Sequence, residues 1–198
     1  MSTSSKSWRV IAISGTPGTG KSDVGIAISR LLGVDLVELS NLALEEGLYV
    51  DYDNERTSFV IDESRLRERV RKLALEKGRL IVVGHYSEIV DDDILDKIII
   101  LRINPIELAE RLSRRGWPAK KMRENIEAEF VGVCTSNALS EHPVEKVCEV
   151  DVSGRSLEEV VREVIEVVSG IRLCRVYVDW LSDEFIASYV LSLTSTTS

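Results

Sequence analysis

The stretch Gly15-Thr16-Pro17-Gly18-Thr19-Gly20-Lys21-Ser22 lies between an apolar run and a run of helical character. Residues 8–14 before it read WRVIAIS, which is typical of a buried β-strand, and residues 23–32 after it have apolar residues at helical spacing. A glycine-rich loop at a helix N-terminus directs backbone N–H groups and the positive end of the helix dipole towards a bound anion. The sequence therefore predicts a phosphate-binding loop of the P-loop folds.

Two side chains of this loop have separate predicted roles. Lys21 is long enough to reach the β- and γ-phosphates of a nucleotide, and the Ser22 hydroxyl is a candidate ligand for Mg²⁺. The alternative interpretation is a turn rich in glycine and threonine without a ligand, which the flanking strand and helix disfavour.

Length and composition are those of one globular domain with at most a small appendage. The chain has 198 residues, of which 44% are hydrophobic. We expect no membrane segment, because no uninterrupted apolar run approaches the roughly 20 residues that span a bilayer, and no signal peptide at the N-terminus. The formal charge of −8 disfavours a broad nucleic-acid-binding face and permits attraction to a basic protein partner.

The three cysteines, Cys134, Cys148 and Cys174, are widely spaced and odd in number. Their spacing fits neither a zinc site nor a disulfide framework, so we expect buried thiols in a reducing, cytoplasmic compartment. Cys134 and the nearby His142 are interpreted as structural residues.

Apolar runs and helix signals alternate along the chain. They predict strands at residues 10–14, 35–39, 80–83, 98–101 and 147–152 and helices at 23–32, 62–77, from 105 onwards, 122–139 and 157–168. This order predicts an α/β fold with a five-stranded parallel sheet and helices on both faces. Residues 48–61 lack clear periodicity and favour a loop or small insertion. The tail after Gly170 fits either an extra strand and helix packed on the domain or a partner-binding segment.

Cations are concentrated in residues 111–121, RLSRRGWPAKK. They are Arg111, Arg114, Arg115, Lys120 and Lys121. A loop between two helices is expected here, suited to closing over bound phosphates, and the alternative is a solvated helix end.

His85 follows the predicted third strand, at the carboxyl edge of the sheet where ligands gather in open α/β folds. This position suits a histidine that orders a water or the γ-phosphate, and the alternative is a capping or packing residue.

Seven segments together resemble one family, the atypical adenylate kinase of the isoenzyme 6 type. In chain order they are SGTPGTGKS (14–22), VELSNLALEEGLYVDYDNE (37–55), VIDESRL (60–66), IVVGHYSE (81–88), LRINP (101–105), ERLSRRGWPAKKMRENIEAE (110–129) and EVDVSGRSLEEV (149–160). The resemblance covers about residues 8–169, and LALEEGLY and the RRGW segment are more discriminating than the phosphate loop.

The resemblance implies a P-loop fold of the nucleoside-monophosphate kinase type over residues 1–170. It would carry a monophosphate-binding insertion at 38–61, a lid at 114–124 and a C-terminal extension at 171–198. It implies reversible phosphoryl transfer from MgATP to AMP, often with ATPase activity. It also implies a role in small-ribosomal-subunit maturation, through a small-subunit ribosomal protein with a basic tail.

The resemblance further implies the site residues. The catalytic residues would be Lys21, His85 and Arg115. The contacts to ATP would be Gly18, Gly20, Lys21, Ser22, Asp23, Arg115 and Arg155, with Ser22 on Mg²⁺.

The chain departs from the family at two positions. Family members usually carry Asp-x-His after the third strand, where this chain has Val83-Gly84-His85, so the carboxylate expected to hold Mg²⁺ through water is missing. Asp62 or Glu88 are candidate substitutes, or the metal relies on Ser22 and the nucleotide.

The second departure is Leu44, where some members have an arginine. Arg65 and Arg102 are then candidates for binding the AMP phosphate. Two other functions stay open: an ATP-switched ribosome-assembly factor with weak chemistry, and a kinase for another small acceptor such as a nucleoside or a shikimate-like metabolite.

Overall fold

A computed structural model describes residues 9–53 and 58–195. Its strands are β1 (Val10–Gly15), β2 (Asp35–Glu38), β3 (Tyr49–Asp53), β4 (Ser58–Ile61), β5 (Leu80–Val83), β6 (Leu95–Arg102) and β7 (Val147–Asp151). Its α-helices are α1 (Lys21–Leu32), α2 (Leu39–Glu45), α3 (Glu63–Lys77), α4 (Pro105–Ser113), α5 (Ala119–Phe130), α6 (Val133–Glu141), α7 (Leu157–Val168) and α8 (Glu184–Ser195).

The core of the fold is a parallel sheet of five strands in the order β2-β5-β1-β6-β7. Side chains of alternating strand residues form one apolar cluster with α1, α4, α7 and α8, and a second cluster with α2, α3 and α6. The prediction of a five-stranded parallel sheet covered on both faces is therefore confirmed.

Helix ends follow local chemistry that the sequence reveals. Asp62 caps α3 by accepting a hydrogen bond from the backbone N–H of Arg65 at 3.1 Å, and Gly78 ends that helix. Ser156 forms a capping box with Glu159 at the start of α7. These helix starts agree with the predicted ones.

The predicted continuous helix over residues 122–139 is wrong, because the chain breaks between α5 and α6 at Gly132. Gly132 has φ +70°, a left-handed conformation that an L side chain rarely adopts. A Cβ placed there would lie 3.4 Å from Nη1 of Arg102, so the buried guanidinium also restricts this position.

Of the two interpretations of residues 48–61, the irregular loop is wrong, whereas a small insertion agrees with the structure. Strands β3 and β4 form an antiparallel hairpin, while residues 54–57 of the segment lie outside the described residues. The ring of Phe59 packs between Tyr49 and Tyr52, with centroid distances of 4.4 Å and 5.0 Å. Cross-strand aromatic contacts hold the hairpin together without the alternating apolar pattern of a strand that faces a core.

The C-terminal extension packs on the domain, which is the first of the two arrangements expected for it. Helix α8 lies against α4 and α5 and buries Ile186 and Val190. The expected extra strand does not form within residues 171–183 of the described chain. That segment runs irregularly beside β7, where the N–H of Glu149 donates to the carbonyl of Arg175 at 2.9 Å.

A disulfide between Cys148 and Cys174 overturns the expectation of free buried thiols for these two residues. Cys148 lies on β7 and Cys174 on the returning extension, so the pair meets only because of the tertiary fold, across 26 residues. Cys134 is free. Among the described residues, no helix has the length and apolar character needed to cross a bilayer.

Candidate nucleotide site

The glycine-rich loop joins β1 to α1 and needs its glycines for space and conformation. Gly18 has φ +106°, and a Cβ there would lie 2.7 Å from Cδ1 of Leu108 on α4. A Cβ on Gly15 would lie 2.6 Å from the carbonyl oxygen of Leu101. Because α1 begins at Lys21, the N–H groups of its first turn have no acceptor within the helix. The loop therefore has the backbone geometry of an anion cradle.

Lys21 is partly buried at the start of α1. Burial is the main cause that lowers the pKa of Lys21; the neighbouring Cys134 and Glu38 oppose the shift, and Arg115 adds to it. Partial desolvation strengthens any contact of an ammonium with phosphate oxygens. The structure thus brings two predicted catalytic residues, Lys21 and Arg115, into one electrostatic neighbourhood.

Ser22 has a partner that the sequence did not reveal. Its hydroxyl donates to Oε1 of Glu38, the last residue of β2, and Oε2 of Glu38 accepts from the side-chain amide of Asn41 at 2.9 Å. Asp62 instead caps α3, and Glu88 accepts from Asn137 at 3.2 Å. The signal that would have found Glu38 is its place at the carboxyl end of a strand, beside the loop.

A cavity of about 570 Å³ opens beside the loop. Its lining includes Thr16 and Pro17 of the loop, His85, which follows β5, and Lys120 and Lys121 of α5. Trp117, Asn137 and Cys134 also line it. The cavity therefore joins the phosphate loop to the cation-rich segment and to the predicted catalytic histidine.

The loop expected over residues 111–121 is shorter in the structure. Helix α4 continues through Ser113 and α5 begins at Ala119, so only residues 114–118 are irregular. Arg111 lies on α4, donates to the carbonyl of Gly18 at 3.3 Å and pairs with Glu107 at 2.7 Å. Amphipathic helical spacing on each side of Gly116 and Pro118 extends both helices into the basic run.

Trp117 contacts two cations of the basic segment, Arg115 and Lys121. The guanidinium carbon of Arg115 lies 5.9 Å from its ring centroid, and Nζ of Lys121 lies 4.7 Å from it. Cation–π attraction holds both charges near the ring. Of these two cations, Lys121 lines the cavity beside the phosphate loop.

His85 is accessible from the cavity although protein atoms crowd its ring, which packs edge-on against Tyr86 at 4.1 Å. Burial and, second, the charge of Lys21 lower the pKa of His85 to about 4. The imidazole is therefore neutral at physiological pH. Cys134 beside it is also neutral, because burial raises the pKa of its thiol to about 11. Cys134, interpreted from the sequence as structural, lines the cavity.

His142 is structural, as predicted. Its Nδ1 lies 2.9 Å from Oδ1 of Asp92 and its Nε2 lies 3.0 Å from the carbonyl oxygen of Glu88.

The prediction that Arg102 binds the AMP phosphate is wrong. Its guanidinium is 3% exposed and pairs with Glu129 at 2.8 Å and Glu149 at 2.5 Å. A buried guanidinium committed to two carboxylates has no free face for a ligand. Arg65 is exposed on α3 and donates to the carbonyl of Gly47 at 3.3 Å.

The remaining predicted ATP contacts lie around the loop and the turn after β7. Asp23 is exposed in the first turn of α1. Arg155 pairs with Glu163 at 2.7 Å and donates to the carbonyl of Asp151 at 2.7 Å, so protein contacts fix its orientation.

Glu129 on α5 is a further residue that the sequence did not single out. It is 1% exposed and accepts from the hydroxyl of Thr16 at 2.7 Å, from Nε of Arg102 at 2.8 Å and from Nε1 of Trp180 at 3.2 Å. One carboxylate thus connects the phosphate loop, the sheet and the C-terminal extension.

The sheet order, the loop after β1 and the cationic helices around one cavity define a P-loop fold of the nucleoside-monophosphate kinase type. Solved shikimate kinases have the same fold. The enzyme from Aquifex aeolicus has a TM-score of 0.52 at 17% identity, covering 82% of this chain and 97% of that one. The enzyme from Bacteroides thetaiotaomicron has a TM-score of 0.50 at 16% identity, covering 80% and 97%.

Sequence comparisons give the family. A family model described as an AAA domain matches residues 11–132. Proteins titled "Putative adenylate kinase" are similar over most of their length. The one from Thermococcus onnurineus is 42% identical over 180 residues, 89% of this chain and 93% of that protein. The one from Saccharolobus solfataricus is 32% identical over 184 residues, 93% and 94%. The chain belongs to this archaeal adenylate kinase family, and the resemblance to the isoenzyme 6 type is confirmed.

Proposed function

We propose that the protein transfers the γ-phosphoryl group of MgATP to AMP, forming two molecules of ADP. The observation that supports this most directly is the cavity, which is lined both by residues of the phosphate loop and by the lysines of α5. Phosphoryl transfer requires two phosphate sites that face each other and positive charge around the migrating group. A cavity lined by the donor loop and by a second set of cations supplies the positive charge and the space for an acceptor.

On the donor side, the amides of Gly18, Gly20 and the first turn of α1 bind the phosphates, together with Lys21. Arg155 and its turn border the adenine. Ser22 holds Mg²⁺, and the hydroxyl and carboxylate oxygens around it are the hard ligands that this ion prefers. When bound, the ion neutralises charge on the β- and γ-phosphates.

On the acceptor side, Arg115 and the two lysines of α5 stabilise the negative charge of the transferring group. Arg111 orients the loop through Gly18. His85, being neutral, donates or accepts a hydrogen bond to a phosphate oxygen or to an attacking water without adding charge. The same geometry with water in place of AMP yields slow ATPase activity.

A coupled assay of ADP formation, with and without AMP, tests the proposal. Lys21→Met should lower AMP-dependent ADP formation by at least about 100-fold, because one electrostatic contact to the transferring group is worth roughly 3–4 kcal/mol. Lys72→Met on α3 is the matched control, since Lys72 is exposed and away from the cavity. Unchanged rates in Lys21→Met would contradict the proposal.

A second candidate is an ATP-switched factor for assembly of the small ribosomal subunit, with weak kinase chemistry. Val83 favours it, because the carboxylate that the family usually places there is absent. The charge of −8 suits a ribosomal protein with a basic tail. ADP formation that is independent of AMP would indicate this function, whereas strict AMP dependence would indicate the kinase. An acceptor screen at fixed ATP tests other small acceptors.

A cytoplasmic location is part of the same proposal. It requires that the Cys148–Cys174 disulfide persist inside the cell, as disulfides do in intracellular proteins of hyperthermophilic archaea.

A further inference from the structure

The carboxylate of Glu38 lies where a magnesium site of this chain would need one. Its Oε1 accepts a hydrogen bond from the Ser22 hydroxyl, and its charge acts on the ammonium of Lys21. The side chain is partly buried, and Asn41 holds its second oxygen at 2.9 Å. The contact therefore involves an oriented carboxylate and the loop hydroxyl predicted to bind the metal.

The strand register explains why Glu38 reaches this place. Strands β2 and β5 are parallel neighbours, and Glu38 is paired directly with Val83. Val83 is the position where the family usually carries its aspartate. Both strands end at the same edge of the sheet, beside the phosphate loop. The glutamate side chain of β2 therefore reaches the loop that an aspartate at position 83 of β5 would face.

Val83 itself has become part of the apolar core. It is 1% exposed, and a Cβ on Gly25 of α1 would lie 2.5 Å from its Cγ2. Where Val83 packs against α1, the end of β5 therefore offers no polar side chain. Of the two other carboxylates considered from the sequence, Asp62 caps α3, and Glu88 lines the cavity with one oxygen accepting from Asn137 and the other without a hydrogen-bond partner among the described residues. The Ser22 hydroxyl contacts Glu38 and neither of these two.

We propose that Glu38 is the metal carboxylate of this chain, supplied by β2 instead of β5, and that it holds Mg²⁺ together with Ser22 and the nucleotide phosphates. Mg²⁺ sites of nucleotide enzymes commonly use one or two carboxylates and keep several waters. By accepting from Ser22, Glu38 also turns the lone pairs of that hydroxyl towards the ion. The inference rests on the proposed binding of MgATP.

Metal affinity in the presence of ADP tests the inference without relying on turnover. Mn²⁺ is titrated into the protein–ADP complex and followed by electron paramagnetic resonance. Glu38→Gln keeps the size and the hydrogen-bond acceptor but removes the charge, and should weaken Mn²⁺ binding about 10- to 100-fold. Its affinity for ADP without metal should be unchanged or higher, because a negative group near the phosphates has been removed.

Asp35→Asn is the matched control. Asp35 starts the same strand, at the opposite edge of the sheet, and forms an exposed pair with Lys77. It removes the same charge and should leave Mn²⁺ affinity as in the wild type. If Glu38→Gln does not fold, Asn41→Ala, which only frees the outer oxygen of Glu38, should weaken Mn²⁺ binding several-fold.

Wild-type Mn²⁺ affinity in Glu38→Gln, or in Asn41→Ala where the first variant does not fold, would overturn the inference while leaving nucleotide binding intact. If the wild-type protein binds no ADP with or without Mn²⁺, the proposed function fails first, and the role of Glu38 fails with it.

Discussion

The imidazole of His85 shows how one residue acquires its chemistry from the surrounding fold. Crowding by protein atoms and the charge of Lys21 both disfavour a proton on the ring, so its pKa falls from 6.5 to about 4. A neutral histidine can donate from one nitrogen and accept at the other. It can therefore order a phosphate oxygen or a water without competing with the surrounding cations.

The titration of His85 is directly testable. The chain has two histidines, so the imidazole NMR signals of wild type and His85→Gln identify its resonance. We expect its titration midpoint near pH 4. Between the folded pKa of about 4 and the ordinary value of 6.5, the unfolded chain binds a proton that the folded chain does not.

The wild type should therefore lose stability as the pH falls through this window, and His85→Gln should lose less. A midpoint close to 6.5, with parallel stability curves for the two proteins, would contradict the assigned environment of His85.

At the scale of elements, the break between α5 and α6 directs two helices towards the cavity. Helix α5 contributes Lys120 and Lys121, whereas α6 contributes Cys134 and Asn137. A single straight helix would not place both sets on the same cavity. Gly132 makes the turn possible and packs against the guanidinium of Arg102.

Two features restrict position 132, namely its left-handed backbone conformation and the close approach of the Arg102 guanidinium, and replacement by alanine tests both. A left-handed backbone costs a non-glycine residue about 1 kcal/mol or more. Gly33, with φ +61°, ψ +41° and nothing within 4 Å of an added Cβ, is the matched control for that cost alone. We expect Gly33→Ala to lower the free energy of unfolding by about 1 kcal/mol and Gly132→Ala by about 2–3 kcal/mol, since the latter also crowds a buried ion pair. If urea denaturation gave the same loss of unfolding free energy for both variants, the Arg102 guanidinium would move aside for the new Cβ without cost, contrary to this prediction.

Elements that depend on local patterns were predictable from the sequence, and those that depend on distant partners were not. The loop ending at Ser22 and the cap at Asp62 follow from adjacent residues. The hairpin around Phe59 and the disulfide of Cys148 depend on contacts between segments. Glu38 belongs to the second kind, because its role appears only when the register of β2 and β5 is known.

At the scale of the whole molecule, the C-terminal extension stabilises both ends of the candidate site. Near the turn that carries Arg155, Arg172 pairs with Glu163 at 2.6 Å, and Glu163 also pairs with Arg155. Near the cavity, Trp180 donates to Glu129, which accepts from Thr16 of the loop. The disulfide fastens the extension to β7 and restricts the unfolded chain, which favours the folded state. The extension is therefore a structural part of the kinase domain.

A double-mutant cycle between Thr16→Val and Trp180→Phe tests whether the extension orients the phosphate loop. Each substitution removes one hydrogen bond to the carboxylate of Glu129; Thr16→Val keeps the shape of the side chain, whereas Trp180→Phe also removes one ring of the indole. Each should destabilise the fold by about 1–3 kcal/mol, because the buried charge loses a donor. The two effects should be non-additive by at least about 0.5 kcal/mol, since they act on one group.

Trp180→Phe should also raise the KM for AMP, because Thr16 lines the cavity, while a merely structural role would change the melting temperature alone. Tyr189→Phe, on α8 and outside the contacts of Glu129, is the control and should combine additively with Thr16→Val. Additivity of Trp180→Phe with Thr16→Val, together with an unchanged KM for AMP, would mean that the extension stabilises the domain without orienting the loop.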